Sequence, residues 1–355
     1  MENNNSNVSV PQTTPIEFTG TGSEYFKIWI VNILLTIVTL GIYSAWAKVR
    51  TNQYFYSNTK LAGGVFNYHA NPKNILIGRI IAVVFLAVYS ALGQYNQELG
   101  AVMGVILFAL IPWIVIKSLM FQARNTSYRN IRFDFEPAYG EAAMIFIVWP
   151  ILVTLSAGLL LPVLWHRRVS LISNNMRFGT SPFRFNQHTA GPFFSIYFKM
   201  LAVFAVIGAA FIALRLTFPE LFNAVSVSIF SKENQRLVLG LGVIVYLVVM
   251  LLVNSYIMAK VTNLMYSKLS LEGHRFNSTL STGGFFGQYF KHTIYTMLTL
   301  GLYIPYAKAN IIKYRLDNLS VNIDGNLDEF IAKKVDQGSA TGEGLGDMFE
   351  VEVGF

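Results

Sequence analysis

The chain has 355 residues, 53% of them hydrophobic and 13% charged, a composition that excludes an ordinary water-soluble enzyme and makes the membrane the first solvent to consider. It has no cysteine, which removes disulfides, thiol nucleophiles, cysteine metal sites and palmitoyl anchors together. The net charge of +8 gains meaning only from where its 27 Lys and Arg residues fall.

Residues 1–15 carry no basic residue and no apolar run, so they read as a disordered tail rather than a signal or transit peptide. Residues 326–355 turn acidic among Gly and Ser and read as a second solvated tail. The membrane domain is expected between them, over residues 16–325. It holds seven apolar stretches near the ~20 residues that a helix needs to cross hydrocarbon. They are residues 25–47, 74–92, 99–121, 141–164, 193–218, 237–258 and 285–307. The second and third, and the fifth and sixth, are joined by polar links and read as helical hairpins. The other three stand alone.

A unit recurs along the chain. FFSIYFK at residues 193–199 and FFGQYFK at 285–291 agree at five of seven positions, and Tyr25-Phe26-Lys27 repeats their end. TLGIYSAWAK from Thr39 and TLGLYIPYAK from Thr299 agree at six of ten. Between the apolar runs lie five polar pieces, from Ser57, Asn125, Asn174, Tyr266 and Asp317, patterned as short β-hairpins. Isolated hairpins are marginal in water, so the five are expected to pair into one small layer on one side of the membrane.

Charge placement bears on that side. Residues 94–99 contain no Lys or Arg, and residues 215–236 only Arg215, Lys232 and Arg236; the rest flank the hairpin pieces, which makes those pieces cytoplasmic. Seven simple crossings would put them on alternate sides. The fold class expected is therefore a multi-pass α-helical membrane protein of repeated units: four crossing helices, three re-entrant segments turning near Gly41, Gly158 and Gly301, and a small cytoplasmic layer of β-hairpins. Seven plain crossings with an unusual charge bias are the alternative.

Lys27, Lys199 and Lys291 follow Tyr25, Tyr197 and Tyr289 where the apolar segments begin, a placement that suits anionic lipid head groups; snorkelling of single lysines is the plainer reading. Arg79 carries the same two readings. The five histidines lack metal-site spacing, and no metal or cofactor is expected. No phosphate loop, nucleophile elbow or intramembrane carboxylate is present, which leans against an enzyme and against an ion-coupled carrier. Basic residues beside aromatics follow the positive-inside bias, so nucleic acid is not an expected partner.

With its Tyr-Phe-Lys segments, Thr-Leu-Gly turns and Phe-Asn hairpins, the chain resembles the YjgN family of bacterial inner-membrane proteins over roughly residues 16–330. The resemblance implies a multi-pass protein of the bacterial cytoplasmic membrane and carries over no catalytic residue. The leading expectation is a non-catalytic protein binding anionic lipid or a small anionic solute at its cytoplasmic interface. A transporter or channel between the crossing helices is the first rival, and a membrane-embedded lipid enzyme the second. Membrane lipid is the expected partner, and the sequence does not give an oligomeric state.

Overall fold

The computed structural model describes residues 12–220, 235–325 and 330–331. The remaining parts of both expected tails lie outside the described residues. Ten strands form the base: β1 Gln12–Phe18, β2 Thr59–Leu61, β3 Gly64–Tyr68, β4 Thr126–Tyr128, β5 Ile131–Phe135, β6 Met176–Phe178, β7 Ser181–Phe185, β8 Leu269–Leu271, β9 His274–Ser278 and β10 Leu319–Ile323. Each pairs antiparallel with its neighbours in chain order, and β10 returns to β1, so the sheet closes. This corrects the expected fold class. The hairpins do not form a layer on an all-helical protein; they form a closed ten-stranded barrel.

The fifth polar piece supplies only β10, and its partner is β1, whose residues Gln12 to Pro15 fall within the stretch read as a tail. Closure removes both edges that an open layer would present to other chains.

Among the described residues, ten helices connect the strands. They are α1 Gly22–Val38, α2 Ser44–Ser57, α3 Pro72–Tyr95, α4 Gln97–Arg124, α5 Tyr139–Leu155, α6 Leu161–Asn175, α7 Gly191–Thr217, α8 Gln235–Lys268, α9 Thr282–Leu298 and α10 Ile304–Asp317. Tight turns join β2 to β3, β4 to β5, β6 to β7 and β8 to β9, whereas helix pairs join β1 to β2, β3 to β4, β5 to β6, β7 to β8 and β9 to β10. Strand direction alternates around an antiparallel circuit. All helix pairs therefore leave and return at one rim, and all tight turns lie at the other. The helices pack in the same circular order, α10 against α1 and onward to α9 against α10.

Local chemistry sets both rims. At the turn rim, Ala62-Gly63, Arg129-Asn130 and Glu272-Gly273 all adopt positive φ, the conformation of tight hairpin turns that match strand twist. At the helix rim, Asn58, Asn125, Asn175 and Asn318 each donate a side-chain N–H to the carbonyl four residues earlier, at 2.8 Å. Their own carbonyls accept an N–H from the residue after the neighbouring strand: Thr19, His69, Glu136 and Thr279, at 2.8–2.9 Å. Lys268 keeps the backbone bond, from Asn186 at 2.8 Å.

Among the described residues, four helices, Pro72–Tyr95, Gln97–Arg124, Gly191–Thr217 and Leu237–Lys268, are long and apolar enough to cross a membrane. The other three connections are each broken into two helices by a five-residue turn. Leu40, Ala157 and Leu300 have φ of 51°, 49° and 50°, and the glycines after them, Gly41, Gly158 and Gly301, have 93°, 89° and 93°. A hydroxyl precedes each pair. Thr39 Oγ1 accepts from the Tyr43 N–H at 2.9 Å, Ser156 Oγ from Leu160 at 3.1 Å, and Thr299 Oγ1 from Tyr303 at 3.0 Å. Backbone bonds inside each turn satisfy the amides of residues 39–42, 156–159 and 299–302. The outer surface of these turns is apolar, with Leu40 94% and Leu300 95% exposed.

Candidate functional site

The barrel encloses a lumen built from one side of every strand. Side chains alternate along a strand, so residues two apart share a face. The residue two before the end of β3, β5, β7 and β9 is a phenylalanine: Phe66, Phe133, Phe183 and Phe276. Their rings follow one another around the wall at 6.4, 6.4 and 5.9 Å between centroids. In β1 and β10 the same place is taken by Ile16 and Val321. These smaller side chains sit on adjoining strands, and the lumen holds a cavity of about 310 Å³ that they border. Sequence reading registered the hairpins but not the common destination of their phenylalanines.

Two polar groups on the wall are bonded within the protein. The Tyr128 hydroxyl donates to the Leu61 carbonyl at 2.7 Å. His274 Nδ1 accepts the Asp324 N–H at 3.0 Å. Burial pushes the His274 pKa down, with Asp324 and Glu272 opposing it, so the imidazole is held neutral and can keep that acceptor role.

The two mouths differ. At the turn rim, Phe330 lies edge-on to His274 at 4.8 Å and stacks on Phe178 at 6.3 Å, with Ile331 buried beside it. At the helix rim, the cavity is bordered by Ile172 and Ser173 of α6, Met176, and Met265 and Tyr266 of α8. Helix α8 is one of the four long apolar helices.

The singled-out tyrosines and lysines part company. Tyr25 is 3% and Tyr197 8% exposed. Tyr25 is packed against Tyr54 and Phe55, with its hydroxyl 3.5 Å from Thr51 Oγ1. Tyr197 lies against Trp165, and a Cβ on Gly158 would come within 3.4 Å of its hydroxyl. Tyr289 stacks on Phe285 at 4.9 Å. Lys27, Lys199 and Lys291 are exposed. They belong to α1, α7 and α9 and are spread around the helix ring rather than gathered at one point. Gly41, Gly158 and Gly301 likewise occupy the ends of three separate helix pairs.

Other basic groups are better enclosed. Lys308 sits over the Phe55 ring at 4.9 Å and the Tyr25 ring at 5.6 Å. Arg79 of α3 donates to Ser44 Oγ of α2, and Lys48 of α2 is close enough to feel its charge. Lys48 and Lys308 end the two Thr-Leu-Gly motifs, a signal present in the sequence at positions that the reading quoted without singling out. Among the described residues, no group of three or more His, Asp or Glu side chains is placed to hold a metal ion.

A family model described as "Bacterial protein of unknown function (DUF898)" matches residues 13–348. The chain belongs to this family. It is similar to the inner membrane protein YjgN of Escherichia coli O157:H7, 26% identical with 88% of this chain and 89% of that protein covered. Inner membrane protein YjgN of Salmonella typhimurium is also 26% identical, over 88% of each chain. The corresponding protein of Escherichia coli K12 is 25% identical, with 88% and 89% covered. No solved structure matches the chain. With four membrane-capable helices and these relatives, this DUF898 member is a multi-pass protein of the bacterial inner membrane.

Proposed function

We propose that the protein binds anionic membrane lipid on the barrel side of the inner membrane and carries out no covalent chemistry. The observation that carries this reading is a pair of cations between α2 and α3 with no carboxylate partner among the described residues. Lys48 and Arg79 face each other beside Ser44, and neither is within ion-pair distance of an acid among the described residues. Two like charges held together repel, and an anion between them relieves that repulsion. Exposed Lys27, Lys199 and Lys291 extend the basic surface around the ring, each worth about 1 kcal/mol toward an anionic leaflet.

In the same reading, the chain is five copies of one helix-pair and strand-pair unit with its barrel in the cytoplasm. Its three turned connections are re-entrant. They enter hydrocarbon from the barrel side, turn at Gly41, Gly158 and Gly301, and return. Their internally bonded turns and exposed leucines support this, because backbone in hydrocarbon must find its partners within the protein. A solute pathway along the barrel axis has less support, since the ring-lined lumen offers a solute almost no polar group.

The test is lipid retention in native mass spectrometry. Replacing Lys27, Lys199 and Lys291 by Gln, with Arg79→Gln as a second variant, lowers the phosphatidylglycerol or cardiolipin carried by the purified protein while leaving insertion intact. Unchanged retention in both variants contradicts the proposal, and altered solute flux in proteoliposomes would then favour transport.

A further inference from the structure

We propose that the barrel lumen takes one long acyl chain drawn from the membrane. Three features of the lumen point to that ligand. Its wall is almost wholly carbon, and two of its few polar groups, Tyr128 and His274, are already bonded within the protein, so an incoming polar molecule would regain little of the hydration it loses. The cavity of about 310 Å³ lies at the lower end of the range of small-molecule sites, and apolar cavities of this kind stay dry and accept apolar guests. Its helix-rim mouth is bordered by Met265 and Tyr266, the last turns of a membrane-capable helix, so the nearest apolar material outside the protein is lipid.

The vacancy also has an identifiable origin. At the level of the ring, β3, β5, β7 and β9 present phenylalanine to the lumen, and the two adjoining strands β1 and β10 present Ile16 and Val321 instead. A continuous ring of six phenylalanines would fill the space. At the β7–β8 junction, where Lys268 stands in place of the clamping asparagine, the cavity is bordered by Phe183, Leu269 and Leu271. At the opposite mouth Phe330 and Ile331 close the barrel, which gives the site a blind end for a methyl terminus and leaves the polar end of the chain toward the membrane surface.

The site is distinct from the basic groups at the rim, so the two readings fail separately: the lysine variants change head-group retention, the lumen variant changes acyl occupancy. The test places full-length protein in nanodiscs of phosphatidylethanolamine and phosphatidylglycerol. One arm carries a diazirine-bearing palmitate, the other the same chain esterified in phosphatidylglycerol. After illumination, adducts are mapped by peptide mass spectrometry. In the native chain, adducts fall on β7, β8 and β9 as well as on the four long helices; the arm that yields them tells whether a free fatty acid or a phospholipid supplies the chain. In Ile16→Phe/Val321→Phe the strand adducts drop about tenfold while helix adducts persist, which also reports that the variant has folded and inserted. Absence of strand adducts in the native chain overturns the proposal, as does their persistence in the folded double variant. Should the double variant fail to insert, the native map decides alone.

Discussion

The turns that break α1 from α2, α5 from α6 and α9 from α10 rest on single residues. At Gly41 nothing lies within 4 Å of an added Cβ, and at Gly301 only Ile304 Cδ1 at 3.6 Å, so the cost of a side chain there is set by backbone conformation and not by crowding. Both glycines have φ of 93°, where an L-residue pays for its Cβ. Gly41→Ala and Gly301→Ala are each expected to lower stability by about 1–2 kcal/mol, read as a lower Tm of the purified protein. Gly283→Ala is the contrast, since it also has open space but lies in helix α9, and it leaves Tm unchanged or raises it. Equal Tm losses at all three positions would show that the positive φ is not what these turns depend on. The glycines were legible in the sequence as breaks within apolar runs. The hydroxyls of Thr39, Ser156 and Thr299, which bond the turn from inside, were not singled out, because a threonine ahead of Leu-Gly announces no partner until the chain has turned back.

Among elements, the strand that matters most was the least visible. The polar pieces between the apolar runs marked the hairpins, since their patterning is a local property of a few residues. Closure is not local. Thr13 Oγ1 reaches Asn322 Oδ1 at 2.8 Å across 309 positions of sequence, and QTTPIEF, with a proline and four polar residues, lacks the look of a strand. Pro15 is tolerated in a strand where its missing N–H is not required. A single strand at each end of the repeats therefore looked like a tail and a fifth hairpin, and a layer was inferred where a barrel exists. Deleting residues 1–18 should expose the edges of β2 and β10 and turn a monodisperse protein into aggregates on size-exclusion chromatography. A deletion variant that remains monodisperse with an unchanged cooperative melt would show that the barrel closes without β1.

For the molecule as a whole, a closed antiparallel circuit with helix pairs at alternate connections has one topological consequence. Every helix pair must return to the rim it left, whether it crosses the membrane twice or turns within it. The charge bias had already argued for hairpins on one side, and the barrel supplies the mechanical reason. The lumen was not legible, because no single strand reveals that its phenylalanine meets three others across 200 residues of chain. The measurement that tests the account most directly uses the absence of native cysteine. Single substitutions Glu17→Cys, Arg184→Cys and Arg275→Cys occupy exposed positions on the barrel, whereas Gln94→Cys lies at the far end of one long helix and Glu220→Cys just beyond the far end of another, Gly191–Thr217. In intact cells, an impermeant thiol reagent should modify Gln94→Cys and Glu220→Cys and spare the three barrel positions until the membrane is opened. Labelling divided among the barrel positions, with some reached from outside and others not, would contradict a single barrel on the cytoplasmic face.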